Sequence, residues 1–477
     1  MEFFLGIDLG ASALKACLLD QNGRSVAATR AAFDTHHPKA GYCEQNPADW
    51  IDALRAALSE MRRDHAQELD AVAALSLSGG AHIGVLCDGD NAPLRPAIMW
   101  SDQRAAEQAA ALAQEGDVLA RAGNAPNATW TLPQLIWLNA HEPNILTATE
   151  KLFFAKDWLA AQLTDKHISD RSEAVGSLMA GRDGQWDKQL ITMSGLKAEA
   201  LPTLVECGTL IGRISARASE AFGLPQAGVY QGAIDTSMEW LCATPLDNKT
   251  ATLKLASAGV ISLTTDTEAH FPPISFYPHI MDGLSYHASG MSDCMGAIEF
   301  IRQNFTPTLS PKDFEAAAMQ AEIGAEGVLF YPYLSGARAP FWQADLRAEM
   351  HGLTRGHAKS AIARAAYEGV GHVLTAIWRD LCDKTGNRPP LLHILGGGAG
   401  DFFCQMLADM LNVTLQRGSE TDCAFATALF AAASHHGDDP KQRALAAYQT
   451  EQKFTPDKAA HAVYDDAYKG FMTRHKR

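Results

Sequence analysis

A chain of 477 residues is too long for one ordinary hydrophobic core and calls for two or three domains. Its 47% hydrophobic and 20% charged residues belong to a globular protein and exclude a disordered or fibrous one. A formal charge of −15 argues against a nucleic-acid surface, which needs a basic face, and no apolar run reaches membrane-spanning length.

The opening "MEFFLGIDLG" carries an acid at once and has no basic region, so it reads as a strand and not as a signal peptide. Phe3, Leu5, Ile7 and Leu9 alternate with Phe4, Gly6 and Asp8 at the period of a strand. Leu14 to Leu19 is a second strand, with Gly10-Ala11-Ser12-Ala13 as the turn between them. "DQNG" is a further turn, Ser25 to Phe33 a third strand, and the three form an antiparallel meander. Asn46-Pro47 is an N-cap with proline at the first helical position, and Trp50, Leu54, Leu58 and Met61 stripe the helix that follows. An apolar strand over 71–78 ends in Gly79-Gly80. Strands, helix and strand in this order predict an α/β fold with a mixed sheet.

A comparable order returns later. Residues 228–235 read as a strand, 250–265 as a hairpin, 284–290 as a strand and the residues from about Asp293 as a helix. "PPLLHILGGGAG" is a buried strand ending in glycines, with the helix "DFFCQMLADML" after it. The two echoing hairpins suggest a duplicated α/β domain with a cleft between the copies and a boundary near residue 245. Nine cysteines without a CxxC pair signal neither a zinc site nor a disulfide framework and fit a reducing cytoplasm. The basic run "TRHKR" reads as a solvated tail.

Asp8 sits inside an apolar strand, either as a cap for the following turn or as a ligand. The turn after it offers small side chains, exposed N–H groups and a hydroxyl, a concavity suited to phosphate oxygens. A carboxylate beside such a turn suits Mg²⁺, which takes one or two carboxylates with water and phosphate. Lys15 could add a positive charge there or simply be exposed. Asp235 closes an apolar strand, as an ordinary N-cap or as a catalytic base able to take a proton from a sugar hydroxyl. "ILGGGAGD" lacks the third glycine of a dinucleotide fingerprint and fits a nucleotide-contacting loop at a helix start. No Walker motif and no HExxH are present, and the histidines of "HFPPISFYPHI" lack metal-ligand spacing.

Together these stretches resemble the FGGY family of carbohydrate kinases, and within it the xylulokinases most. "GIDLGASALKACLLD", "LSLSGGAHIGVLCDGDNAPLRPAIMWSDQR", "GAIDTSM", "YLSGARAP", "HGLTRGHAKSAIARAAYEGV" and "LGGGAGDFFCQMLADML" match its motifs, which together span residues 3 to about 430. The resemblance implies two actin-like, ribonuclease H-type domains with an interdomain cleft, residues 1–245 binding sugar and carrying catalysis and 246–477 binding nucleotide. It implies ATP-dependent phosphorylation of a ketopentose such as D-xylulose with Mg²⁺, in the cytoplasm, with no nucleic-acid or membrane partner and with a homodimer as one option. Residue by residue, Asp8 would orient Mg²⁺ and Asp235 would be the base. Gly10, Ala11, Ser12 and Lys15 would lie on the phosphate side. Ala81, His82, Trp100 and Thr236 would line the sugar pocket, and Ser257, Gly397 and Gly398 would contact the nucleotide.

This sequence departs from the family pattern at Ala11, Ala81, Gln134, Thr236 and Ala337. Ala81 and Thr236 fall on the sugar side, which leaves open another ketose such as ribulose, a polyol, a sugar acid or a signalling molecule. Ala256-Ser257-Ala258 stands where a glycine-containing turn is usual, which leaves a non-catalytic sugar- or nucleotide-binding regulator as a further alternative.

Overall fold

The computed structural model describes residues 1–475 apart from 244, 245, 268, 282, 344, 397, 399, 420 and 421. Two compact units divide the chain. The first comprises 1–245, 267–285 and 422–448, and the second 246–266, 286–421 and 449–477. The units are thus discontinuous in sequence, with 267–285 and 422–448 returning to the first.

The first unit begins with the expected meander, β1 (Phe3–Leu9), β2 (Ala13–Asp20) and β3 (Ser25–Ala32). Helix α1 (Pro47–Asp70) follows, with Pro47 in its first turn and the Asn46 side chain accepting from the Ala48 amide. The sheet continues through β4 (Val72–Gly79), β5 (Leu210–Arg213) and β6 (Gly228–Tyr230). Its spatial order is β5-β6-β4-β1-β2-β3. The meander pairs are antiparallel, β1–β4 and β4–β6 are parallel, and β5 closes the edge antiparallel.

All seven residues of β1 are buried, so the alternation in its sequence does not mark an exposed face. Phe3, Leu5, Ile7 and Leu9 join Trp50, Leu54, Leu58 and Met61 of α1 in one apolar cluster. The opposite face is covered by a helix from far along the chain. Phe4 packs with Ala74 and Ala432, and a Cβ at Gly6 would lie 2.0 Å from the Ala424 carbonyl oxygen and 2.3 Å from the Ala428 nitrogen. Only glycine lets that helix backbone approach so closely.

In the second unit β7 (Ala251–Leu255) and β8 (Gly259–Thr265) form the expected hairpin. β9 (Ser285–Met291), α2 (Met295–Phe305), β10 (Leu391–Leu395), α3 (Asp401–Leu411), β11 (Thr414–Gly418) and β12 (Thr450–Phe454) complete its frame. Strands β9-β8-β7-β10-β11-β12 lie in that order. As in the first unit, a hairpin strand has two successive parallel neighbours and then an antiparallel edge. The helix covering β1 is Cys423–His436, which lies between β11 and β12 in sequence yet belongs to the first unit. Among the described residues no helix is long and apolar enough to cross a membrane.

Candidate active site

Asp8 stands one residue before the end of β1, opposite Lys15 on β2 and Ser78 on β4. It is 5% exposed. Ser78 Oγ donates to Asp8 Oδ1 at 2.8 Å, and Thr427 Oγ1 in turn donates to Ser78 Oγ at 2.9 Å. Burial, together with the nearby Asp235 and Asp422 carboxylates, pushes Asp8 up to about 6 against the opposing pull of Ser78 and Lys15. Lys15 Nζ pairs with Asp422 at 2.6 Å, both groups being half exposed. Burial works against the lysine's charge, but the Asp422 hydrogen bond and charge outweigh it and raise its pKa. The Asp422 side chain also caps the Cys423–His436 helix through the Ala424 amide. The expected phosphate-side cation is therefore already joined to an acid that carries no motif of its own.

In the turn after β1, the Gly10 amide donates to the Ala13 carbonyl at 3.1 Å, while Ala11 and Ser12 are exposed. Gln45 holds this turn from below. Its Nε2 donates to the Ala11 carbonyl at 2.7 Å, and its Oε1 accepts from Trp50 Nε1 at 3.0 Å. Among the described residues no group of three or more His, Cys, Asp or Glu is arranged to hold a metal. One buried carboxylate crowded by two others still fits Mg²⁺, whose remaining ligands are water and phosphate oxygens.

Asp235 follows β6 in the chain. That strand ends at Tyr230, and after an irregular step the chain bridges β4 again, Ile234 pairing parallel with Gly79. A Cβ at Gly232 would lie 1.9 Å from the Leu77 carbonyl oxygen, so this close approach needs glycine. Asp235 then opens a four-residue helix, Asp235–Met238. Its Oδ1 accepts from the Thr236 amide at 2.7 Å, and the preceding Ile234 amide donates to Ser172 Oγ at 3.2 Å. Asp235 and Thr236 are both half-buried.

His82 is buried and takes a left-handed backbone conformation, with φ of 50°. Its amide donates to Glu173 Oε2 at 2.6 Å, and its carbonyl accepts from Thr131 Oγ1 at 2.7 Å. The imidazole stacks on Trp130 at 5.2 Å, and Trp130 stacks on Tyr277 at 6.0 Å. Gly176 leaves room for this assembly, since a Cβ there would come within 3.2 Å of the imidazole and 3.4 Å of the Tyr277 ring. Ala81 and Trp100 are half-buried, and Trp100 Cδ1 lies 3.8 Å from where a Cβ at Gly80 would stand. After Trp100, Asp102 accepts from Arg104 Nε and Nη2 at 2.9 and 2.8 Å and from the Cys43 amide at 2.5 Å, which anchors the "WSDQR" stretch.

The structure thus gathers Asp8, Lys15 and Asp235 around one electrostatic centre in the first unit. Sequence reasoning missed Gln45, Trp130, Thr131, Ser172, Glu173 and Asp422. None of these carries a signal in its own stretch of sequence; Glu173, in "DRSEAVG", stands beside two other charged residues.

In the second unit, the Ala256 amide donates to the Ala258 carbonyl at 3.1 Å. Neither alanine adopts a positive φ, so the absence of glycine imposes no backbone strain. The turn's carbonyls serve the start of α2. Ser257 O accepts from the Cys294 and Gly296 amides at 2.7 and 3.3 Å, and Ala256 O from Met295 at 3.1 Å. Beyond β10, a Cβ at Gly396 or Gly398 would lie 2.8 Å from the Leu255 carbonyl oxygen at the end of β7. Ser257 and Gly398 are exposed. Gly397 lies outside the described residues.

The family model described as "FGGY family of carbohydrate kinases, N-terminal domain" matches residues 3–242, and its C-terminal counterpart matches 257–435. A xylulose kinase of Escherichia coli (strain K12) is 29% identical over 470 residues, covering 97% of this chain and 96% of that protein. A gluconokinase of Bacillus subtilis (strain 168) is 24% identical over 441 residues, covering 88% and 86%. The crystal structure of a xyloylose kinase from Brucella ovis superposes with a TM-score of 0.92 at 28% identity, covering 99% of each chain. Both units carry the actin-like, ribonuclease H-type α/β fold of such structures.

Proposed function

This chain belongs to the FGGY family of carbohydrate kinases, and we propose that it transfers the terminal phosphoryl group of ATP to D-xylulose, giving D-xylulose 5-phosphate and ADP. The observation that carries the reading is the Asp8–Asp235 pair, a buried carboxylate at the end of β1 with its pKa raised to about 6 by burial and by the acid that opens a helix beside it. Phosphoryl transfer calls for this division of labour, one carboxylate at the phosphate side and one at the attacking hydroxyl.

Asp235 takes the proton of the sugar hydroxyl as its oxygen bonds to the γ-phosphorus and the bond to ADP breaks. The Thr236 amide donates to Asp235 Oδ1 at 2.7 Å, which helps to orient the carboxylate for this role. His82, Ala81, Trp100 and Thr236 form the sugar side. The phosphate role is assigned to Ser12, Lys15 and the Gly10–Ala11 backbone, and the nucleotide role to Ser257, Gly397 and Gly398. Mg²⁺ held at Asp8 would neutralise charge on the phosphate oxygens.

The xylulose kinases among the relatives favour the ketopentose. Ala81 and Thr236 favour a second reading, a related sugar or sugar acid such as gluconate, because both stand on the sugar side and depart from the xylulokinase pattern. An ADP-release assay over D-xylulose, D-ribulose, gluconate and glycerol separates the two by the ranking of kcat/KM. D-xylulose is expected to rank first, and Asp235→Asn to lower kcat by about 10²–10⁴-fold with the fold intact. A parent enzyme inactive on every substrate, or an Asp235→Asn variant of full activity, defeats the reading.

A further inference from the structure

A second charged group lies beneath the sugar side, with all of its members in the first unit. Lys156 is 1% exposed, Asp157 2%, and Asp170 and Glu173 0%. Lys156 Nζ contacts Asp157 Oδ1 at 2.6 Å and Asp170 Oδ2 at 2.5 Å. Gln231 Nε2 donates to the same two carboxylates at 2.9 and 3.3 Å, and Ser169 Oγ donates to Asp157 Oδ2 at 2.6 Å. So many buried ionisable groups are costly, and each survives only where its partners are supplied.

Glu173 is the member whose bonds lead outward. One carboxyl oxygen, Oε2, accepts the His82 amide hydrogen at 2.6 Å. The other, Oε1, is buried with no hydrogen-bond partner among the described residues. Two positions earlier, Ser172 Oγ accepts from the Ile234 amide at 3.2 Å, next to Asp235. One short helical turn, Arg171–Gly176, therefore ties both the His82 and the Asp235 segments. Its last residue, Gly176, makes room for the imidazole.

We infer that Glu173 is a positioning residue of the sugar site, whose carboxyl oxygen holds the His82 amide and so keeps that residue in its left-handed conformation with the imidazole set against Trp130. The inference rests on the proposed function, because it assigns the imidazole to sugar binding. A histidine at φ of 50° is not at its own conformational minimum. Two hydrogen bonds fix it there, one from its amide to Glu173 and one to its carbonyl from Thr131. Burial together with Asp157 and Asp170 raises the Glu173 pKa well above the usual range, even though Lys156 opposes them. A neutral amide in its place is therefore tolerated and still offers an accepting oxygen.

Glu173→Leu removes the acceptor, Glu173→Gln keeps it, and Thr131→Val removes only the bond to the His82 carbonyl. Steady-state kinetics with D-xylulose and ATP should show Glu173→Leu raising the sugar KM roughly tenfold or more, with the ATP KM within about twofold. Glu173→Gln should stay within about threefold of the parent, and Thr131→Val should shift the sugar KM in the same direction as Glu173→Leu. An unchanged sugar KM in Glu173→Leu, equal rises in both KM values, or a Glu173→Gln as impaired as Glu173→Leu overturns the inference. If Glu173→Leu does not fold, the Gln and Thr131→Val variants decide it by the same criteria. The His82 amide resonance of ¹⁵N-histidine-labelled protein, recorded without sugar, separates this from the kinase reading. That resonance should move in Glu173→Leu or Thr131→Val and hold in Glu173→Gln even if no sugar is turned over, and a resonance that ignores all three variants refutes the positioning.

Discussion

Replacing Asp8 by asparagine removes a charge that the folded protein accommodates badly, so the variant should be inactive and yet more stable. The Asp8 carboxyl moves from an ordinary 3.8 to about 6 on folding. A shift of roughly 2 pH units corresponds to about 3 kcal/mol at 1.36 kcal/mol per unit. Because the folded pKa lies above the unfolded one, the folded state binds this proton more tightly. The associated stability is complete below about pH 4 and is lost as pH rises through 6. Asparagine carries no charge at either extreme and keeps an oxygen to accept from Ser78. Asp8→Asn should therefore match the parent at pH 4 and exceed it at pH 8 by up to about 3 kcal/mol. Urea unfolding in the presence of a chelator, followed by tryptophan fluorescence, reads the right unit, because seven of the nine tryptophans lie in the first one. Kinase activity at pH 8 should fall at least about 10²-fold in the same variant. A variant less stable than the parent at pH 8, or a difference that does not grow with pH, would refute the assignment of a strained, buried charge.

Gly6→Ala should be among the most damaging conservative changes, costing about 4 kcal/mol or more, since its methyl would meet the helix backbone at 2.0 Å; soluble yield and the urea midpoint report it. Ala256→Gly should leave the KM for ATP within about twofold, because the alanine does not occupy a left-handed conformation that glycine would relieve. A tighter ATP KM in that variant would mean that the methyl itself obstructs phosphate. Gly398→Ala should weaken ATP binding and lower stability together, because its Cβ would lie 2.8 Å from the Leu255 carbonyl oxygen; calorimetric titration with ATP and thermal unfolding measure the two effects.

Much of this protein is local in its coding. The first hairpin, the Asn46 cap with Pro47, the strand ending in Gly79 and the hairpin of 251–265 all appear where residue period and turn chemistry put them. Asp8 and Asp235 are legible for the same reason, as carboxylates at the ends of apolar strands. The exception beside them is instructive. The strand expected over 228–235 is regular only to Tyr230 and bridges its neighbour again at Ile234, with Gly232 held against the Leu77 carbonyl in between. A glycine in an apolar run is equally consistent with a regular strand and with such an irregularity until its neighbour is known.

The partners of the site residues follow a different rule. Lys15 looks like a free phosphate-side cation until Asp422, 407 positions later, is brought to 2.6 Å. His82 looks like an isolated motif histidine until Glu173 and Thr131 fix its backbone. Neither acid repeats at a period or sits in a motif, so no local pattern could announce it. The sequence alone determined the first meander, the strand ending in Gly79, the duplicated hairpins and the two carboxylates proposed to carry the chemistry, since these depend on residues a few positions apart. Only the tertiary structure decided which face of β1 the Cys423–His436 helix covers, why Gly6 must be glycine, and which distant acids set the charge of Asp8 and Lys15. Those are matters of close approach and low-dielectric electrostatics, and both depend on separations in space that the chain order does not record.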